Sequence, residues 1–262
     1  MQPRRLTKLA VTVMGLLMVI SAYAQQPAPA AGGAGGGGPR GGAGAAGAAG
    51  APGARGGAQA GAAAGAARGN AGRAPLFFKE EWKQDAGNTE HPVTQESVAN
   101  PNLELKLYGT NHDVLIAGNP ALETNPPHVW TGVCTTACAV AFRHKTSFVD
   151  ISGLARMKWL SKMSGYHSVR PIVKLANGTW LIGDHEDDNN VDWLTHEFSF
   201  QGMRWLTLDI ARVVTTGTWV ANPDLTKIDE IGFADLTPGS GHGAGGWSDV
   251  ATIEVYGKSV PR

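Results

Sequence analysis

Short runs in which apolar and polar residues alternate dominate the chain from Leu76 onward. Leu103-Glu104-Leu105-Lys106-Leu107 alternates strictly, and so does Cys138-Ala139-Val140-Ala141-Phe142-Arg143. A period of two sends successive side chains to opposite faces, so these runs read as strands with one buried face. The same reading covers 76–82, 129–133, 148–151, 155–163, 169–175, 179–182, 194–200, 204–210, 230–236 and 251–256. Gly, Asn, Pro and Asp clusters separate them, and no convincing amphipathic helix intervenes. Many closely spaced strands without helices predict an all-β fold, an antiparallel β-sandwich or jelly roll.

Parity then assigns faces. Asn177-Gly178 between two alternating runs predicts a two-residue type I′ hairpin. That register sets Leu175 opposite Trp180 and Val173 opposite Ile182, with these four on the core face and Arg170 and Lys174 on the other. In 155–163, Met157 and Trp159 share a core face with Ala155 and Ser161, while Arg156, Lys158 and Lys162 point away. In 204–210, Leu206, Leu208 and Ile210 point one way and Trp205, Thr207 and Asp209 the other. With the aliphatic set given to the core, Trp205 is the strand tryptophan expected to face outward. His196 shares the parity of Leu194, Phe198 and Phe200 and is expected in the core.

Composition divides the chain. All 22 acidic residues lie at or after Glu80, and all eight tryptophans follow Leu76. Residues 1–24 read as a secretory leader: Arg4, Arg5 and Lys8 precede an apolar run of about a dozen residues, too short to span a bilayer. Ala22-Tyr23-Ala24 supplies a small-x-small cleavage site. Residues 25–75 are almost entirely Gly, Ala, Pro and scattered Arg. They lack the apolar surface to offset backbone entropy, so a disordered tether spanning roughly 40 Å is expected. Residues 76–262 then form one domain, carrying 15 basic and 22 acidic residues. That balance excludes a nucleic-acid partner recruited by bulk positive charge. An exported protein, periplasmic or extracellular, with no transmembrane segment after leader cleavage, is the expectation.

The chemistry-bearing residues are fewer. Arg156, Lys158, Lys162, Arg170 and Lys174 form a basic strip without an intervening acid. It reads either as a face for an anionic or polyhydroxylated ligand or as a solvated outer face balancing the acids. Trp205 with Asp209 offers an indole beside a polar partner for a sugar ring. Lys158, Arg170, Lys174, Trp130 and Arg143 complete the candidate ligand-binding set. Asp184, Glu186, Asp187 and Asp188 concentrate oxygen ligands, a candidate structural calcium site against the alternative of a solvated turn. Cys134 and Cys138 lie roughly 13 Å apart on a straight strand, so a disulfide requires a turn at Thr135-Thr136. The alternative is two buried thiols. Gly241-His242-Gly243-Ala244-Gly245-Gly246 matches G-x-G-x-x-G literally. A strand pattern rather than a helix follows, so a dinucleotide site is rejected. No pair of carboxylates or nucleophile–base pair is marked for catalysis.

Three segments, VRPIVKLANGTWLIGD at 169–184, DEIGFADLTPG at 229–239 and IEVYGK at 253–258, resemble a family of exported bacterial proteins of unknown function. More broadly the pattern resembles galactose-binding-domain-like jelly rolls, which include many carbohydrate-binding modules. The resemblance implies a non-catalytic module whose partner is a glycan or another cell-envelope component. The alternatives are a structural or protein-interaction module and a polysaccharide-acting hydrolase or lyase. The resemblance supplies no catalytic residue.

Overall fold

The computed structural model describes residues 73–84, 90–241 and 245–262. The expected leader and nearly all of the expected tether lie outside them, as do residues 242–244 of the glycine-rich stretch. The strands are β1 (Leu76–Glu80), β2 (His91–Pro92), β3 (Leu103–Tyr108), β4 (Leu115–Ala117), β5 (His128–Trp130), β6 (Cys138–His144), β7 (Ser147–Asp150), β8 (Arg156–Gly165) and β9 (Ser168–Leu175). They continue with β10 (Trp180–Gly183), β11 (Asp187–Asp188), β12 (Leu194–Ser199), β13 (Trp205–Asp209), β14 (Val214–Val220), β15 (Ile228–Asp235), β16 (Gly246–Tyr256) and β17 (Lys258–Pro261). Among the described residues the helical structure is a short 3₁₀ turn at Gln95–Ser97. No described helix is long and apolar enough to cross a membrane.

Two antiparallel sheets stack as a β-sandwich. The first runs β12-β8-β16-β5-β4-β2, with β1 also on β16. The second runs β14-β13-β10-β9-β15-β6-β3, with β7, β11 and β17 attached beside it. Strand β8 shows the cause most plainly. Its even positions 156–162 are half-buried while Met157, Trp159, Ser161 and Met163 are buried, which is the period-two pattern its sequence carries. Met157, Trp159 and Met163 meet Val140, Phe142, Val173 and Phe233 from the second sheet in one apolar core.

The hairpin between β9 and β10 differs from expectation. Leu175 N–H donates to the Thr179 carbonyl at 2.9 Å, and Gly178 N–H donates to the Leu175 carbonyl at 2.9 Å. Ala176, Asn177 and Gly178 therefore form a three-residue loop, closed by Gly178 in the left-handed region at φ 89°. One extra loop residue shifts the register by one. Trp180 now faces Lys174 across the ladder, and Leu181 faces Val173. Trp180 remains buried but on the outer side of the second sheet, 5.0 Å from the Tyr108 ring.

The outward assignment of Trp205 is corrected in the same way. Trp205 is 1% exposed and lies in the inter-sheet core, with Phe200 stacked at 6.3 Å. Leu206, Leu208 and Ile210 occupy the opposite face, where they join Trp180, Ile172 and Ile182 in a second apolar cluster. This sheet is apolar on both faces, so alternation alone cannot tell the core side from the outer side. Trp205→Ala should cost about 3–5 kcal/mol, the range for truncating a buried aromatic, read from denaturation midpoints. A loss below about 1 kcal/mol would contradict its core position.

Candidate functional site

On the outer face of the first sheet, three strands bring unlike side chains together. Lys162 on β8 lies directly across the ladder from Asp249 on β16. Asp249 in turn lies across from Trp130 on β5. Two residues along their own strands, Trp247 and His128 share that face. Trp193, just before β12, approaches from the side: its ring is 5.1 Å from His128. Glu90, His128, Trp130, Lys162, Trp247 and Asp249 line a cavity of about 250 Å³, and Trp193 packs behind it against His128 and Lys162. A second cavity of about 370 Å³ shares Glu90, His128 and Lys162 and continues past Asn119 and Asn125.

The electrostatics are specific. Asp249 is 3% exposed, and its Oδ1 is buried without a hydrogen-bond partner. The Lys162 ammonium sits 3.3 Å from Oδ2. Burial pushes the Asp249 carboxyl up to about 7; Lys162 opposes the shift and Glu90 adds to it. His128 Nδ1 is 2.7 Å from the Pro126 carbonyl, which can only accept, so Nδ1 carries the proton. Burial holds His128 down to about 4, with Lys162 adding to the effect and the Pro126 contact opposing it. Its unprotonated Nε2 therefore faces Asp249 Oδ2 at 3.5 Å. Gly118 permits this arrangement: at φ 101°, a Cβ there would overlap the Pro126 carbonyl oxygen. The Lys162 ammonium also lies 4.8 Å from the Trp193 ring and 5.2 Å from the Trp247 ring. The cleft thus offers indole walls, polar groups of both donor and acceptor type, and a carboxyl that titrates near neutrality.

Of the residues expected from sequence, Trp130 lines this cleft. The basic strip does not form one face: Arg156, Lys158 and Lys162 lie on β8 in the first sheet, and Arg170 and Lys174 on β9 in the second. Most of its members are matched to nearby acids. Arg156 pairs with Glu197, Lys158 with Glu254, and Lys174 with Glu230 and Asp229. Arg170 donates to the Gly183 carbonyl, and Arg143 pairs with Asp229 and Glu104. Asp209 closes a turn by accepting from Arg212 at 2.8 Å, away from the buried Trp205. Lys162 is the strip residue that enters the cleft.

The acidic segment disperses. Asp184 binds Arg204 at 2.8 Å, and Glu186 accepts from Ser168 at 2.6 Å. Asp187 accepts from Trp159 Nε1 at 2.7 Å and lies 3.2 and 2.9 Å from His185 and His196. Asp188 is exposed on β11. His196 is accordingly a half-buried partner of Asp187 rather than a core residue, and Leu194 beside it is exposed. Among the described residues no group of three or more His, Cys, Asp or Glu converges as a metal site would require. Excess chelator after metal-free preparation tests the calcium expectation directly: a fall of several degrees in melting temperature would support it, and an unchanged value would remove it. Cys134 and Cys138 are joined in a disulfide, Cα atoms 6.3 Å apart, across bends at Thr135 and Thr136.

Sequence reasoning missed Glu90, His128, Trp193, Trp247 and Asp249. The available signal was Trp247-Ser248-Asp249, which alternates in phase with β16 once that strand is begun at Gly246.

No family model matches the chain, and no curated protein does. Several solved structures are similar in fold. One is a family 11 carbohydrate-binding module of a cellulosomal cellulase of Clostridium thermocellum, at 19% identity and TM-score 0.39, covering 65% of this chain and 95% of that one. Another is a family 61 carbohydrate-binding module in complex with β-1,4-galactotriose, at 11% identity and TM-score 0.34, covering 59% and 88%. A third is an exo-β-agarase, at 10% identity and TM-score 0.36, of which this chain covers 25%. None of them carries a ligand or an activity over to this chain.

Proposed function

We propose that the chain is an exported, non-catalytic carbohydrate-binding module and that the cleft between Trp247, Trp193 and Lys162 is its ligand site. One observation carries the reading: indole rings and fixed polar groups converge on one cavity. Sugars present C–H faces that pack on flat aromatic rings, and hydroxyls that exchange hydrogen bonds with side chains beside those rings. The single cation, Lys162, is already paired with Asp249, and Glu90 adds a negative charge. The geometry therefore supports a neutral glycan over an anionic one. The Cys134–Cys138 bond suits an oxidising compartment and supports export.

A second reading rests on one feature, a carboxyl raised toward neutrality and coupled to Glu90, which resembles the acid partner of a glycosidase pair. Electrophoresis of the full chain through gels containing neutral polysaccharides separates the two. Binding alone predicts retardation by at least one polymer without release of reducing ends. Reducing ends accumulating in proportion to enzyme and time would establish hydrolysis instead.

A further inference from the structure

A cavity of about 700 Å³ lies apart from the cleft. It opens among the loops that follow β7, β12 and β14. Phe200, Trp205 and Ile151 give it a buried apolar floor, and Met203 and Leu225 line it as well. Trp219 is 49% exposed and contributes a wall. The Arg204 guanidinium lies 4.3 Å from that indole ring, with its Nε held by Asp184. The Arg204 side chain is largely exposed, so its terminal nitrogens are open at the cavity's mouth, while the indole Nε1 of Trp205 is buried without a hydrogen-bond partner.

We infer that this cavity is a second, chemically different binding site, which takes an uncharged cyclic or aryl group bearing a hydroxyl or carbonyl oxygen. Three observations select that class. The volume falls within the range of small-ligand pockets. The floor is apolar and aromatic, so a ring gains by leaving water there. The Arg204 guanidinium at its mouth can donate to an acceptor oxygen on that ring. Charge disfavours an anion: Asp184 already pairs with the cation Arg204, and Asp224 adds a carboxylate to the lining. A sugar is disfavoured because Arg204 occupies one face of the exposed indole; Gln201, Asn222 and Asp224 on the lining can accept the single hydroxyl proton of the proposed group. The inference is independent of the glycan reading of the cleft.

The test uses indole ¹H–¹⁵N resonances of the labelled full chain, assigned by single Trp→Phe replacements, with cyclohexylmethanol as the probe. The Trp205 and Trp219 resonances should shift saturably, while those of Trp193 and Trp247 stay in place. Cyclohexanecarboxylate should bind at least about tenfold more weakly, because burying its charge beside two carboxylates costs more than one hydrogen bond returns. Trp219→Ala should abolish the Trp205 shift. The inference is overturned by absence of a saturable shift at Trp205 and Trp219, by equal shifts at every tryptophan, by equal binding of the carboxylate, or by an undiminished Trp205 shift in Trp219→Ala.

Discussion

Asp249→Asn should make the protein more stable at pH 8, by as much as about 4 kcal/mol, and leave it nearly unchanged at pH 4. Asp249 ionises near 4 in an unfolded chain but only near 7 in the folded one. Between those values the folded state holds a proton that the unfolded state has released. Stability therefore falls as pH rises through this window, and the loss is complete above the folded value. Below pH 4 both states are protonated, and the near-isosteric Asn changes little. The figure of about 4 kcal/mol is three pKa steps of about 1.36 kcal/mol each, and losing the Lys162 pairing will reduce it. Paired denaturant titrations of wild type and variant at pH 4 and pH 8 give the difference directly. A variant that is equally destabilised at both pH values would show that Asp249 is an ordinary structural ion-pair member. A residue that costs stability while lining a cavity is what a binding or catalytic site leads one to expect.

Asp235→Ala should destabilise the protein by about 3–5 kcal/mol, the usual loss when one partner of a buried polar network is removed. Asp235 is fully buried on β15, in the second sheet. Its Oδ2 accepts from Thr131 Oγ1 at 2.7 Å and lies 2.7 Å from His167 Nδ1, while Oδ1 accepts from Thr237 N–H at 3.1 Å. Thr131 follows Trp130, and its hydroxyl oxygen accepts from Ser248 N–H at 3.0 Å. Ser248 stands between Trp247 and Asp249. The network therefore fastens the cleft's two central strands to the opposite sheet. Its removal leaves the buried His167 Nδ1 and the Thr237 N–H without their acceptor, while the Thr131 hydroxyl keeps only the Ser248 carbonyl at 3.2 Å. A midpoint change equivalent to less than about 1 kcal/mol would show that water or rearrangement replaces the carboxylate.

Much of the fold was legible because strand parity is robust where one face is buried. The alternation in β8 placed Met157 and Trp159 inward and Lys158 and Lys162 outward, as found. It failed at Trp205 and Trp180 because the second sheet carries apolar residues on both faces. There alternation loses its meaning, and one residue of loop length inverts every assignment. The basic strip looked continuous in sequence, yet the turn between β8 and β9 carries the chain from one sheet to the other. The cleft stayed hidden for a different reason. Its groups come from β5, β8, β16 and two connecting segments, far apart in sequence. Asp249 and Trp247 lie beside a glycine-rich stretch that reads as loop, although β16 begins at Gly246. Lys162 was visible only as one of several cations, because nothing local distinguishes a lysine that faces two indoles.

The most direct test is a glycan array probed with the full chain and with Trp247→Ala in parallel. Trp247 is half-buried at the cleft wall and outside the inter-sheet core, so its removal should leave the melting temperature nearly intact. The account predicts that wild type binds a defined set of neutral glycans and that Trp247→Ala weakens every one of them by at least about tenfold, as loss of an aromatic anchor does. Glycan binding unaffected by Trp247→Ala, or no binding by a folded wild-type chain, would contradict it.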